Sequence, residues 1–113
     1  MPKYRDNVER LFHALADPTR LAVVERLCRG PESVKQLAAP FPMALPSFLQ
    51  HLRILENEGI VVSTKTGRVR TVRVEPKALQ QVESWITTQR AYWEDALDRL
   101  EQYASENEGG KDL

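Results

Sequence analysis

Residues 44–76 read ALPSFLQHLRILENEGIVVSTKTGRVRTVRVEP, and two periodicities meet inside that stretch. Phe48, Leu49, Leu52 and Leu55 fall on one face of a helix. Pro46 suits a first helical turn, where its missing N–H costs nothing, and Gly59 suits a left-handed stop. The spacing therefore predicts a helix from about Leu45 to Gly59. From Ile60 the chain turns β-branched: Ile60–Lys65 and Arg68–Val74 flank Thr66-Gly67. Two such runs around a Gly-containing turn predict a β-hairpin.

Upstream, Pro40 and Pro42 forbid regular helix and make Pro40–Met43 a turn. Before it, Ser33 is placed to cap a short helix through Ala39, with Val34 and Leu37 inward. Asp17-Pro18 pairs an N-cap with a first-position proline, so a helix is expected from Pro18 to about Cys28, burying Leu21, Val24 and Leu27. Gly30-Pro31 ends it, and Cys28 near that end is read as a small buried hydrophobe. Val8, Leu11, Phe12 and Leu15 mark a first helix from Tyr4 to Ala16. His13 on that helix is read as a packing residue.

Downstream of Glu75-Pro76 helical spacing resumes through Leu79, Val82, Ile86, Trp93, Leu97, Leu100 and Ala104, flanked by Trp85, Tyr92, Ala96 and Tyr103. The stretch from Ser105, with Gly109-Gly110, is expected to fray. The expected organisation is one domain over residues 1–105 and a flexible tail over 106–113. The order is α-α-α-α-β-β-α, mainly α with a small β-hairpin and a long C-terminal dimerisation helix. Two helices joined by a turn and followed at once by a hairpin describe a winged helix-turn-helix.

The formal net charge is zero, with 16 basic and 16 acidic residues, but the charges are segregated. Residues 44–74 hold five Lys/Arg against two Asp/Glu, whereas residues 75–113 hold four against nine. Lys65, Arg68, Arg70 and Arg73 lie between Thr64 and Val74 with no acid among them. Such a cluster repels itself unless an anion is present, so Lys65, Arg68 and Arg70 are read as phosphate contacts at the wing. Arg73 alternates to the other strand face and is read as structural. Protection of an exposed strand edge by positive charge is the alternative for one or two of these residues.

In a winged helix-turn-helix the helix before the hairpin enters the major groove of double-stranded DNA. Its outward residues are Ala44, Ser47, Gln50, His51 and Arg53, the candidate recognition set. Gln50 can pair in bidentate fashion with adenine, and Ser47 can bond a base or phosphate. A merely solvated helix face would show the same residue types. The apolar residues Val8, Leu11, Phe12 and Leu15, with Trp85, Ile86, Tyr92, Trp93, Leu97 and Leu100, exceed what so small a domain needs for its own core. They are read as the dimer contact, which would present two recognition helices to a palindromic operator.

Three separate stretches resemble the ArsR-type, arsenic-repressor-like regulators. They are His13-Ala14-Leu15-Ala16-Asp17-Pro18-Thr19-Arg20-Leu21; Met43 and Gln50-His51-Leu52-Arg53-Ile54-Leu55-Glu56 with Gly59-Ile60-Val61; and Gly67-Arg68, Arg70 and Val74-Glu75-Pro76. The resemblance spans about residues 8–80. It implies a homodimeric winged-helix repressor that leaves DNA when an inducer binds, the inducer here being unknown. Metal-sensing members carry cysteines where this chain has Ser33 and Lys35, or Asp/His pairs on a last helix that here lacks histidine. The chain is similar to a metal-free subgroup, with no metal and no cofactor expected. Leu49 stands where the family usually has serine.

Other classes find less in the sequence. No apolar run reaches the roughly 18 residues of a membrane span, and no apolar signal-peptide core follows Met1. A single cysteine makes no internal disulfide, which points to the cytoplasm. No paired-carboxylate, Ser/His/Asp or Gly-rich phosphate signature suggests an enzyme. The same fold could instead serve as a protein-interaction module, a reading favoured by the apolar Phe48 and Leu49 and opposed by the cationic wing.

Overall fold

Asp17 sets the first corner of the chain. Its carboxylate accepts from the backbone N–H groups of Thr19 (2.9 Å) and Arg20 (3.0 Å), closing the N-terminus of a helix that starts at Pro18. The computed structural model describes the backbone of residues 3–111 and the side chains of residues 7–107. In it α1 runs Lys3–Leu15, α2 Pro18–Leu27, α3 Val34–Ala38, α4 Leu45–Asn57 and α5 Pro76–Lys111. The strands are β1 (Glu32–Ser33), β2 (Val61–Thr66) and β3 (Val69–Val74). This is the winged helix-turn-helix order that the sequence predicts.

Each short element carries its own stop signal. Ser33 opens α3 through a reciprocal capping box: Gln36 N–H donates to Ser33 Oγ at 3.1 Å, and Ser33 N–H to Gln36 Oε1 at 3.3 Å. Gly59, at φ +73°, ends α4 in the left-handed conformation. Ile60 N–H reaches back to the Leu55 carbonyl (2.9 Å) and Gly59 N–H to the Glu56 carbonyl (3.0 Å). Those two bonds form a Schellman motif, and its apolar partners Ile60 and Leu55 are both buried.

The sheet has three strands rather than the expected two, in the order β1-β3-β2. β1 pairs antiparallel with the inner part of β3, Glu32 opposite Val72 and Ser33 opposite Thr71. A bidentate pair between the Arg26 guanidinium and the Glu32 carboxylate fastens β1 to the end of α2. Two residues next to a proline leave no periodic signal, so pairing with β3 creates this strand and local propensity does not.

The core draws on every helix and on the sheet: Leu11, Ala14, Val23, Val24, Leu27, Leu37, Phe48, Leu52, Leu55, Ile60, Val61, Val72 and Ala78. Several expected placements are corrected by it. Val23, not Leu21, completes the inner stripe of α2, and Leu21 is 46% exposed. Leu49 lies outside the inner stripe of α4, since the buried set Phe48, Leu52 and Leu55 already fills that face. Cys28 is an exposed thiol at the C-cap of α2, and His13 is exposed in the last turn of α1. Val8 and Leu11, assigned from sequence to a dimer contact, are 2% and 3% exposed within the single chain, so they are already covered.

The chain divides into two units, one ending at Val82 and one beginning at Glu83. The first holds the helix-turn-helix, the sheet and the start of α5, with Ala78 in the core and Leu79 and Val82 packed against it. The second is helix throughout its described length. It runs unbroken through Thr87-Thr88, where Thr88 Oγ1 donates to the Ser84 carbonyl at 2.9 Å. The helical backbone continues to Lys111, past the point where fraying was expected. Gly109 and Gly110 disfavour a helix by about 1 kcal/mol each relative to alanine, but neither breaks one as proline would. Asp112 and Leu113 lie outside the described residues. Among the described residues no helix is long and apolar enough to cross a membrane.

Candidate nucleic-acid interface

Helix α4 buries one side and exposes the other. Opposite Phe48, Leu52 and Leu55, the exposed residues Pro46, Leu49, Gln50 and Arg53 follow the i, i+3, i+4, i+7 spacing of a single stripe, with Ala44 and Ser47 beside its N-terminal end. Four of the five recognition residues read from sequence are therefore exposed on this helix or at its cap. Leu49 joins them as a residue that sequence reasoning placed inside. Ala44 caps α4 without a side-chain bond, Pro46 in the first turn has no N–H, and Phe48 N–H donates to the Ala44 carbonyl at 3.1 Å.

His51 is the fifth, and the structure places it elsewhere. It is half-buried and turned toward the α1–α2 corner, with Nδ1 3.2 Å from Arg20 Nη1 and 3.7 Å from Asp17 Oδ2. Arg20 Nε in turn donates to the Ala14 carbonyl at 2.6 Å. The carboxyl of Asp17 is held below its ordinary value of 3.8, first by the backbone N–H of Arg20 and then by the Arg20 and His51 charges and the Thr19 N–H, against an opposing effect of burial. The 13–21 and 50–56 stretches are thus halves of one joint that fixes α4 against the end of α1 and the start of α2. The signal was in the sequence, as Asp17, Arg20 and His51, but only three-dimensional contact shows that these residues meet.

The wing is a two-residue hairpin. Thr66 pairs with Val69 and Lys65 with Arg70, leaving Gly67 and Arg68 as the turn. Gly67 has φ +62°, as the first central position of a type II′ turn requires. Arg68 therefore belongs to the turn, and does not share a strand face with Arg70 as its spacing suggested. The cations are nonetheless gathered at one tip. Lys65, Arg68 and Arg70 are all exposed, and Arg70 donates only to the Ser63 hydroxyl, at 3.0 Å. Arg73 is exposed too and, among the described residues, enters no ion pair, so its expected structural role finds no partner.

The wing and the α3–α4 segment flank a cleft of about 800 Å³, lined by Arg68, Val69 and Arg70 of the wing, residues of α3 and the following turn, and Leu45 at the start of α4. Among the described residues no group of three or more His, Cys, Asp or Glu is placed to hold a metal ion. In the second unit, Ile86, Tyr92, Trp93, Leu97, Leu100 and Tyr103 are between 40% and 69% exposed. Trp85 is half-buried there; in the first unit Phe12 is 37% exposed and Leu15 packs against the core.

Comparison with known proteins agrees with this arrangement. Residues 17–63 match the family model described as bacterial regulatory protein, arsR family. The HTH-type transcriptional regulator Rv2034 of Mycobacterium tuberculosis is 36% identical over 97 residues, 86% of this chain and 87% of that protein. The HTH-type transcriptional repressor SmtB of the same organism is 35% identical over 63 residues, 56% of this chain and 47% of that one. A crystal structure of an ArsR family transcriptional regulator superposes with a TM-score of 0.76 at 48% identity, covering 83% of this chain and 97% of that one.

Proposed function

Because the chain belongs to the arsR family of bacterial regulatory proteins and is a DNA-binding transcriptional regulator, we propose that it acts as a homodimeric repressor on a two-fold symmetric operator. The observation that carries the DNA-binding geometry is an exposed cationic wing tip in the same fold as an exposed stripe on α4. In this reading Arg68, Arg70 and Lys65 meet phosphates. Ser47, Leu49, Gln50 and Arg53 enter the major groove, and Gln50 reads a base edge. The name of the partial relative SmtB supports repression.

Dimerisation is assigned to the exposed residues Ile86, Tyr92, Trp93, Leu97 and Leu100 of α5. Side chains of that size, repeated along one helix, expose more apolar surface than a monomer ordinarily leaves in water. Phe12 of α1 stays in the proposal, whereas Val8 and Leu11 drop out. The proposed activity is binding alone, in the cytoplasm.

The test is selection of duplexes from a random pool, followed by anisotropy titrations of selected and scrambled duplex across a salt series. Preference for the selected duplex, with half-sites about one helical turn apart, is the expected result. Equal affinity for both would overturn the proposal and leave a protein-docking role. Sedimentation of Trp93→Glu is expected to show monomer where the parent is a dimer, with loss of operator affinity. A Trp93→Glu protein that sediments like the parent would remove α5 from the interface.

A further inference from the structure

The cleft between the wing and the α3–α4 turn is chemically divided. Val34, Ala38, Phe41, Met43, Leu45 and Val69 give it an apolar lining, and Leu45 and Val69 are each 52% exposed. Lys35, Arg68 and Arg70 stand among the same lining residues, and no acid does. Among the described residues Lys35 and Arg68 enter no ion pair, and Arg70 bonds only the Ser63 hydroxyl. The volume, about 800 Å³, falls in the range of roughly 300–1,000 Å³ typical of small-molecule sites.

We propose that this cleft binds an aliphatic carboxylate, its chain on the Phe41–Met43 floor and its headgroup on Arg68, Arg70 and Lys35. A phosphodiester alone would satisfy the cations and leave the apolar lining unused. A neutral hydrocarbon would do the reverse. An alkyl chain ending in an anion answers both, with charge-assisted hydrogen bonds to arginine as the specific element. Because the headgroup occupies the wing cations assigned above to phosphates, the ligand and DNA compete. That regulatory consequence rests on the DNA-binding reading, whereas ligand binding itself does not.

The experiment is calorimetric titration of octanoate, decanoate and dodecanoate, each below its micellar concentration, into the full chain without DNA, with 1-decanol as the neutral match. Affinity is expected to rise with chain length, by up to about fourfold for each methylene buried. Decanoate is expected to bind about tenfold or more tighter than 1-decanol, from the bonds to its charge. Ala39 lines the cleft and is exposed at the C-cap of α3, so Ala39→Glu places a carboxylate there without disturbing the core and is expected to abolish binding. Arg68→Ala/Arg70→Ala is expected to bring decanoate down to the level of 1-decanol. No binding, equal binding of decanoate and 1-decanol, or full binding by Ala39→Glu would each overturn the site. Anisotropy of a duplex probe then reads the competition: decanoate releases the parent protein from DNA if the regulatory consequence holds, and ligand bound with DNA retained refutes it. A chain that bound no duplex would still report the cleft by calorimetry, so the two proposals fail separately.

Discussion

His51 on α4 places Nδ1 3.2 Å from Nη1 of Arg20, and that same guanidinium group is anchored by Nε on the carbonyl of Ala14. One side chain thereby links the end of α1, the start of α2 and the middle of α4. In the proposed complex His51 positions α4 and does not itself meet DNA.

For this reason His51→Ala should weaken operator binding without changing the number of phosphates neutralised. In a salt series the log–log slope is expected to match the parent's while the line drops, and urea unfolding should show a loss of about 1 kcal/mol for the hydrogen bond. A flattened slope would instead return His51 to the phosphate-contacting set.

Asp17→Ala removes an N-cap and is expected to cost about 1 kcal/mol, within a range of about 0.5–2 kcal/mol. The folded carboxyl titrates below the ordinary 3.8, chiefly because it accepts the Arg20 N–H. Its ionised form is therefore favoured in the folded state. That contribution is fully present above 3.8 and is lost as pH falls through the lower folded value. Urea midpoints of parent and variant should run parallel from neutral pH down to about 4 and converge only below it. Convergence already at neutral pH would mean that Asp17 does not cap α2.

At the wing, Arg68→Ala and Arg70→Ala should each lower the magnitude of the salt slope by about 0.9 for every phosphate no longer neutralised. The weakening should be similar on selected and scrambled duplex, since phosphates carry no sequence information. Arg73→Ala, on the opposite strand face from Arg70, should leave the slope nearly unchanged.

Leu49 and Gln50 sit side by side on the exposed stripe of α4. An isobutyl group in the major groove has one base-edge partner, the 5-methyl group of thymine. Replacing thymine by uracil across a selected half-site should then weaken the parent by about 0.8 kcal/mol for each thymine methyl that Leu49 covers, and leave Leu49→Ala indifferent. Gln50→Ala should lose preference for adenine while retaining non-specific affinity. Equal sensitivity of parent and Leu49→Ala to uracil would remove Leu49 from base reading.

Much of this was legible in the sequence because it is written locally. Asp17-Pro18, the Ser33 and Gln36 box, and Gly59 each fix a boundary by short-range hydrogen bonding, and the change from helical to alternating period marks the passage from α4 to the wing. What the sequence concealed depends on partners distant along the chain. β1 exists only through Val72 and Thr71. Leu49 and Leu21 are apolar at helical spacing, and only the packed neighbours decide that Phe48 and Val23 take the inner places. The same holds for the candidate interface. Composition gathers Lys65, Arg68 and Arg70, but the grouping of Arg68 and Arg70 with Leu45 about one cleft, and the withdrawal of His51 to Arg20, are tertiary facts.

The third strand reaches only part of the way along the wing. β1 covers β3 at Thr71 and Val72, and beyond it Lys65, Thr66, Val69 and Arg70 form a bare ribbon of two strands. The wing is therefore braced by a third strand at its root and by none over its last few residues. In the proposed complex its charges would follow the undulating rail of a duplex while α4 stays in register, and the freedom surrendered on docking would be confined to that short tip.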